Sequence, residues 1–195
     1  MAERLFTADD AWNGGFYELA LEIGHRSDQR LLAALIALWK HANLDGCFLD
    51  RSREPSEQPR TSEFCLEGGS HRLGVASLPN GSQVACGSFL VREDDGPDWL
   101  GFYLPMGSLA TAYPVGAFPF GTEAERPWRY EIEDWLAEIG LEIAESASYQ
   151  LGIIGHEVSG YTYASDIAST GIPDVRSVGY LWPTNESVVY YRRTA

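Results

Sequence analysis

Lysine is almost missing from this chain: Lys40 is the single lysine in a basic set of 14 side chains that is otherwise arginine. Schiff-base or pyridoxal-type chemistry would have to use Lys40, which falls at the end of a predicted helix, where a cation is favoured in any case. Cysteine is as sparse. Cys47, Cys65 and Cys86 are odd in number, far apart and in no Cys-x-x-Cys pair, so they read as reduced structural thiols rather than a disulfide framework or a metal clamp. No run approaches the ~20 apolar residues of a membrane-spanning helix. The opening MAERLFTADDAW has neither a basic start nor an apolar h-region, so the expectation is a soluble, cytoplasmic protein with no membrane partner.

The familiar catalytic motifs are missing too. There is no Gly-x-x-x-x-Gly-Lys-Ser/Thr phosphate loop, no Gly-x-Gly-x-x-Gly after a strand and no Gly-x-Ser-x-Gly nucleophile elbow. HEVSG, at His156 to Gly160, starts as a zinc-protease motif does. That motif needs a second His four residues on so that both imidazoles reach one metal from one helical face, and Gly160 stands there instead. His25, His41 and His71 are isolated. The residues therefore predict no cofactor and no metal.

What the chain has in excess is acid. A formal net charge of −14 arises from 28 acidic against 14 basic side chains, which disfavours nucleic acid because phosphate neutralisation needs the opposite sign. Solubility or a basic protein partner fits better.

At 195 residues the chain suits a single domain over 1–195 with one core. FYELALEI alternates, with Tyr17, Leu19, Leu21 and Ile23 on one face and Phe16, Glu18, Ala20 and Glu22 on the other, the pattern of a half-buried strand. SDQRLLAALIALWKH has helical spacing with Ser27 or Asp28 as N-cap. DRSREPSEQPRTS, from Asp50 to Ser62, reads as an exposed inserted loop. Asn80-Gly81 is a type I′ hairpin signal, and DWLGFYLP after the turn at Asp94 to Pro97 supplies a further strand of a meander. A second long helix starts near Pro127, with Trp128, Ile132, Trp135, Leu136, Ile139 and Ile143 as its apolar stripe. Glu131, Asp134, Glu138, Glu142 and Glu145 occupy its opposite side. MGSLATAY and ASDIAS suggest short helices, YQLGIIG a buried strand, and the end of the chain a closing hairpin around Thr184 to Glu186. Segregated strands and helices joined by hairpins predict an α+β fold, a mainly antiparallel sheet packed against two main helices.

Two sets of candidate binding residues emerge. Trp12, Phe118, Phe120, Tyr161 and Tyr163 lie in Gly- or Pro-rich segments that are hard to bury fully, and exposed aromatics beside acid resemble protein-binding anchors. Glu131, Asp134, Glu138 and Glu142 would supply the acidic part of that surface. The other set is the His156–Glu157 loop with Ser159, Tyr161 and Tyr163, which concentrates acid–base-capable groups in one place. In WNGGFY, Gly14 and Gly15 suit a tight entry into the first strand, with Trp12 folding back as a lid on the sheet.

WNGGFYELAL and IGHEVSGYT together resemble a set of uncharacterised bacterial proteins that share a Trp-x-Gly-Gly-Phe-Tyr-Glu-Leu start and an Ile-Gly-x-Glu-x-Ser-Gly segment near the other end. That resemblance implies no catalytic residue. In general character, compact, acidic and Trp-rich, the chain is also similar to bacterial immunity proteins, which bind a toxin domain. The leading expectation is thus a non-enzymatic, immunity-like domain that binds a basic protein. The alternative is a small-molecule-binding domain or enzyme centred on His156 and Glu157. A homodimer formed through a sheet edge or an aromatic patch is a third reading.

Overall fold

The computed structural model describes residues 4–116 and 126–194. Eight strands form one antiparallel sheet in the order β2-β3-β4-β5-β1-β6-β7-β8. They are β1 (Phe16–His25), β2 (Leu44–Phe48), β3 (His71–Ser77), β4 (Gln83–Arg92), β5 (Pro97–Pro105), β6 (Leu151–His156), β7 (Gly179–Pro183) and β8 (Val188–Tyr191). The helices are α1 (Asp28–Trp39), α2 (Met106–Ala112), α3 (Arg126–Ala144) and α4 (Ala164–Thr170). This is the expected α+β architecture, with a β3-β4-β5 meander in which Asn80 and Gly81 make the first turn. No helix among the described residues is long and apolar enough to cross a membrane.

The pleat of each strand divides its side chains between two different coverings. On the first face, Tyr17, Leu19, Leu21 and Ile23 of β1 meet the leucines of α1 and the Trp128-to-Ile143 stripe of α3 in the main core. Ser27 caps α1, its hydroxyl accepting from the Arg30 amide at 3.4 Å. Among the described residues the second face has no long helix. Its β6 side is closed by α4 and the segment leading into it, around Trp99, Ile153, Val158 and Ile167. Its β3 side is closed by residues 4–15, whose Phe6 packs on Phe48, Leu73, Val75 and Ala85.

The first strand differs from its expected half-buried form. Every residue from Tyr17 to Gly24 is buried, Glu18 and Glu22 included. β1 is central, and a segment some 140 residues away covers the face that alternation assigns to water. The polar stretch from Asp50 to Ser62 is also more than a solvated loop. A 3₁₀ turn at Pro55–Glu57 presents Glu54, whose carboxylate accepts from the amides of Leu5, Phe6 and Thr7 and from the Thr7 hydroxyl, at 2.6 to 3.2 Å. That carboxylate fastens the 4–15 arm to the second face. β2 has no counterpart among the sequence expectations, because LDGCF is too short and too mixed to alternate.

Candidate functional site

At the start of β1, Phe16 and Tyr17 diverge to opposite faces of the sheet. Tyr17 points to the helix side and packs edge-on against Trp128. Its hydroxyl donates a short hydrogen bond to Glu133 of α3. Arg129 and Glu133 are one helical turn apart and both buried, so a polar strip runs beside the apolar stripe of α3. Arg193, in the tail after β8, reaches back to this strip with Nη1 3.3 Å from the Glu133 carboxylate. Burial is the main cause that pushes the Glu133 carboxyl up to about 7, against the opposing pull of the Tyr17 bond and the Arg129 charge. Burial and the neighbouring Glu133 hold the Tyr17 hydroxyl well above its ordinary range, so it stays a protonated donor.

His156 closes β6 and pairs with Tyr17 across the ladder, which brings the imidazole to the same end of the sheet. Glu157 follows in a left-handed conformation, φ 48°, while its amide donates to the Phe16 carbonyl at 3.1 Å. Room for both side chains comes from Gly15. A Cβ there would lie 2.7 Å from Glu157 Oε1 and 3.1 Å from His156 Nε2, and its φ of 74° is itself a glycine conformation. Gly14, at φ 82°, makes the other half of this tight entry into β1.

The loop beyond is held by the two buried glutamates of β1. Glu18 accepts from the Ser159 amide at 2.8 Å and from the Ser159 hydroxyl at 3.0 Å, and Glu22 accepts from the Ala164 amide at 2.7 Å. Burial pushes the Glu18 carboxyl up to about 7, although the Ser159 donors pull it down. Glu18 and Glu22 therefore anchor the loop and the start of α4 rather than facing solvent.

Tyr17, Arg129, His156 and Arg193 surround a cavity of about 290 Å³, with Glu157, Tyr161 and Ser177 at its rim. The Tyr161 and Ser177 hydroxyls stand 3.4 Å apart there. Its lining is rich in donors: two guanidinium groups, an imidazole and hydroxyls, which suits an anion.

Of the residues singled out from sequence, His156, Glu157 and Tyr161 come together at this cavity. Ser159 turns to Glu18 instead. Tyr163 lies on the second face, stacked edge-on against Trp99 with its hydroxyl donating to Glu93 at 3.2 Å. Trp12 also lies on that face, its indole N–H donating to the Phe6 carbonyl at 2.8 Å, as a lid on the sheet should. Phe118 and Phe120 lie outside the described residues. The acids of α3 are dispersed in their bonding. Glu131 accepts from the Tyr113 hydroxyl at 3.1 Å, Asp134 pairs with Arg192, Glu142 is 3.3 Å from His41, and Glu138 is exposed. They occupy the helix layer, whereas Trp12 and Tyr163 lie across the sheet from it, so these residues do not form one surface.

Tyr17, Arg129, Glu133 and Arg193 are not marked out by the sequence. Tyr17 and Arg129 look like ordinary strand and helix residues, and Arg193 is remote in the chain from everything it touches. Only one signal points to them: Glu133 interrupts the apolar side of α3, where a carboxylate needs a partner. Among the described residues no group of three or more His, Cys, Asp or Glu could hold a metal ion. No family model, curated protein or solved structure matches this chain.

Proposed function

We propose that this chain is a small-molecule-binding protein whose ligand is a compact organic anion bearing a carboxylate or a phosphate, held in the cavity at the end of β6. The observation that carries this reading is the convergence of Arg129, Arg193 and His156 on one cavity in a chain of net charge −14. Arginine is suited to planar, two-pronged recognition of such groups, and each charge-assisted hydrogen bond to a bound anion is worth about 1.5–3 kcal/mol. Glu133 and Tyr17 orient the guanidinium groups from below, and the rim hydroxyls of Tyr161 and Ser177 add direction.

Calorimetric titration with malonate, phosphoglycolate and inorganic phosphate tests the reading. Saturable binding of at least one probe is expected, at least tenfold weaker in Arg129→Gln and several-fold weaker in Tyr161→Phe and Ser177→Ala. The last two sit at the rim and leave the buried cluster intact, so they report on the site even if Arg129→Gln folds poorly. No saturable binding, or binding indifferent to the rim substitutions, would contradict it.

The acid excess, the exposed Glu138 of α3 and the exposed Glu145 just after its end favour a second reading, an immunity-like surface for a basic protein. It requires a salt-sensitive, stoichiometric basic partner that Glu138→Lys and Glu145→Lys release.

A further inference from the structure

The second face of the sheet carries another cavity, of about 390 Å³, between the 4–15 arm and β3, β4 and β5. Its walls are rings. Phe16, Phe89 and Tyr103 form a triangle with centroids 5.3 to 5.9 Å apart, and the His71 ring lies 5.9 Å from Phe89. Trp12 closes the cavity from the arm. The rings lie down on the sheet because glycine lies beneath them. A Cβ on Gly87 would stand 2.5 Å from the Tyr103 ring, and one on Gly101 would stand 2.4 Å from the Phe89 ring. Phe16 and Phe89 are only partly buried, so the cluster keeps an open aromatic surface inside a concavity.

Three polar groups face this surface. Tyr103, pushed up to about 12 mainly by burial, keeps its proton, and its oxygen is 3.5 Å from His71 Nδ1. Partial burial pulls His71 below its ordinary value, which favours the neutral ring. Arg51 is exposed at the mouth, and its charge reaches the Tyr103 hydroxyl.

We infer that this cavity is a second binding site, for a small planar aromatic carboxylate whose ring lies among Phe16, Phe89 and His71 and whose acid group meets Arg51 at the mouth. Ring faces without a charged floor favour a flat apolar body, for which offset or edge-on packing adds to simple burial. A single cation at the rim favours one negative group at one end of the ligand. The volume lies within the range of small-molecule sites and accommodates one or two fused rings. The site shares no lining residue with the anion cavity at the end of β6, and it does not depend on that proposal.

Calorimetry with 2-naphthoate tests it, alongside 2-naphthalenemethanol, which lacks the acid, and cyclohexanecarboxylate, which lacks the flat ring. One naphthoate is expected to bind per chain and to shift the Trp12 indole N–H signal in a nitrogen-resolved NMR spectrum. Both comparison compounds should bind at least tenfold more weakly, as should naphthoate to Arg51→Gln and Phe89→Leu. Ser177→Ala should bind naphthoate unchanged, which separates this site from the one proposed above. Arg51 is exposed, so its variant keeps the test decisive even if Phe89→Leu is poorly folded. The inference is overturned if naphthoate leaves the Trp12 signal unmoved, binds Arg51→Gln as tightly as the parent protein, or binds no better than cyclohexanecarboxylate.

Discussion

Gly15 decides whether His156 and Glu157 can share the end of the sheet. Its left-handed backbone and the 2.7 Å approach of Glu157 to a Cβ built there both oppose a side chain. Gly15→Ala is expected to lower stability by about 1–3 kcal/mol and to weaken anion binding, because the atoms nearest to the new Cβ belong to Glu157 and His156. Denaturant unfolding and calorimetry on the same preparation check this, and unchanged affinity at reduced stability would remove His156 from the site. The need for glycine at this position is legible in WNGGFY; its second reason, the neighbouring carboxylate and imidazole, is not. That reason comes from a residue pair more than a hundred positions away, which no local pattern encodes.

The anion cavity leans on α3 through Arg129, whereas the aromatic cavity is positioned not by a long helix but by the thin covering of the second face. The 4–15 arm is held by Glu54, by the Ser108 hydroxyl donating to the Ala11 carbonyl at 2.8 Å, and by the Gly107 amide donating to the Asn13 carbonyl at 2.9 Å. A Cβ on Gly107 would lie 1.7 Å from the Asp10 carbonyl oxygen, which is backbone and cannot rotate away. Gly107→Ala is therefore expected to lift the arm, at a cost of about 1–3 kcal/mol, and to raise the exposure of Trp12 in an iodide-quenching measurement. Quenching equal to that of the parent protein would mean that the arm is held elsewhere.

Elements with a strong period are legible in the sequence: α1 and α3 by their stripes, the β3–β4 hairpin by Asn80-Gly81, and β6 by its apolar run. The arm and the Glu54 turn are not, since they are polar and aperiodic and are ordered by tertiary hydrogen bonds. For the same reason Glu18 and Glu22 read as solvent-facing. Alternation shows which residues share a face of a strand, and it is silent on what lies over that face.

Over the whole molecule, two deeply buried carboxyls, Glu18 and Glu133, are each pushed up to about 7 in the folded protein. In the unfolded chain both would titrate near 4.5. Between those values the folded state holds more protons than the unfolded state, so stability falls as pH rises. The stabilisation from the protonated forms is fully present below about 4.5, is lost as pH rises through about 7, and is constant above that. The melting temperature is thus expected to be higher near pH 5 than near pH 8. Glu18→Gln, uncharged throughout, should flatten roughly half of the two-carboxyl slope. A melting temperature that rises between pH 5 and 8 would contradict this account, and a Glu18→Gln slope equal to that of the parent would show that Glu18 titrates normally.

The same buried charge cluster is the foundation of the proposed site, and its guanidinium groups offer the most direct reading. The decisive measurement is an NMR titration that follows the arginine Nε–Hε signals, assigned by Arg129→Gln and Arg193→Gln, as malonate and phosphoglycolate are added. The expected result is a saturable shift of the Arg129 and Arg193 signals with one common dissociation constant, while the exposed Arg26 and Arg60 signals stay fixed. Shifts that grow linearly and equally at all arginines would reflect ionic strength alone and would contradict an anion-binding function for this cavity.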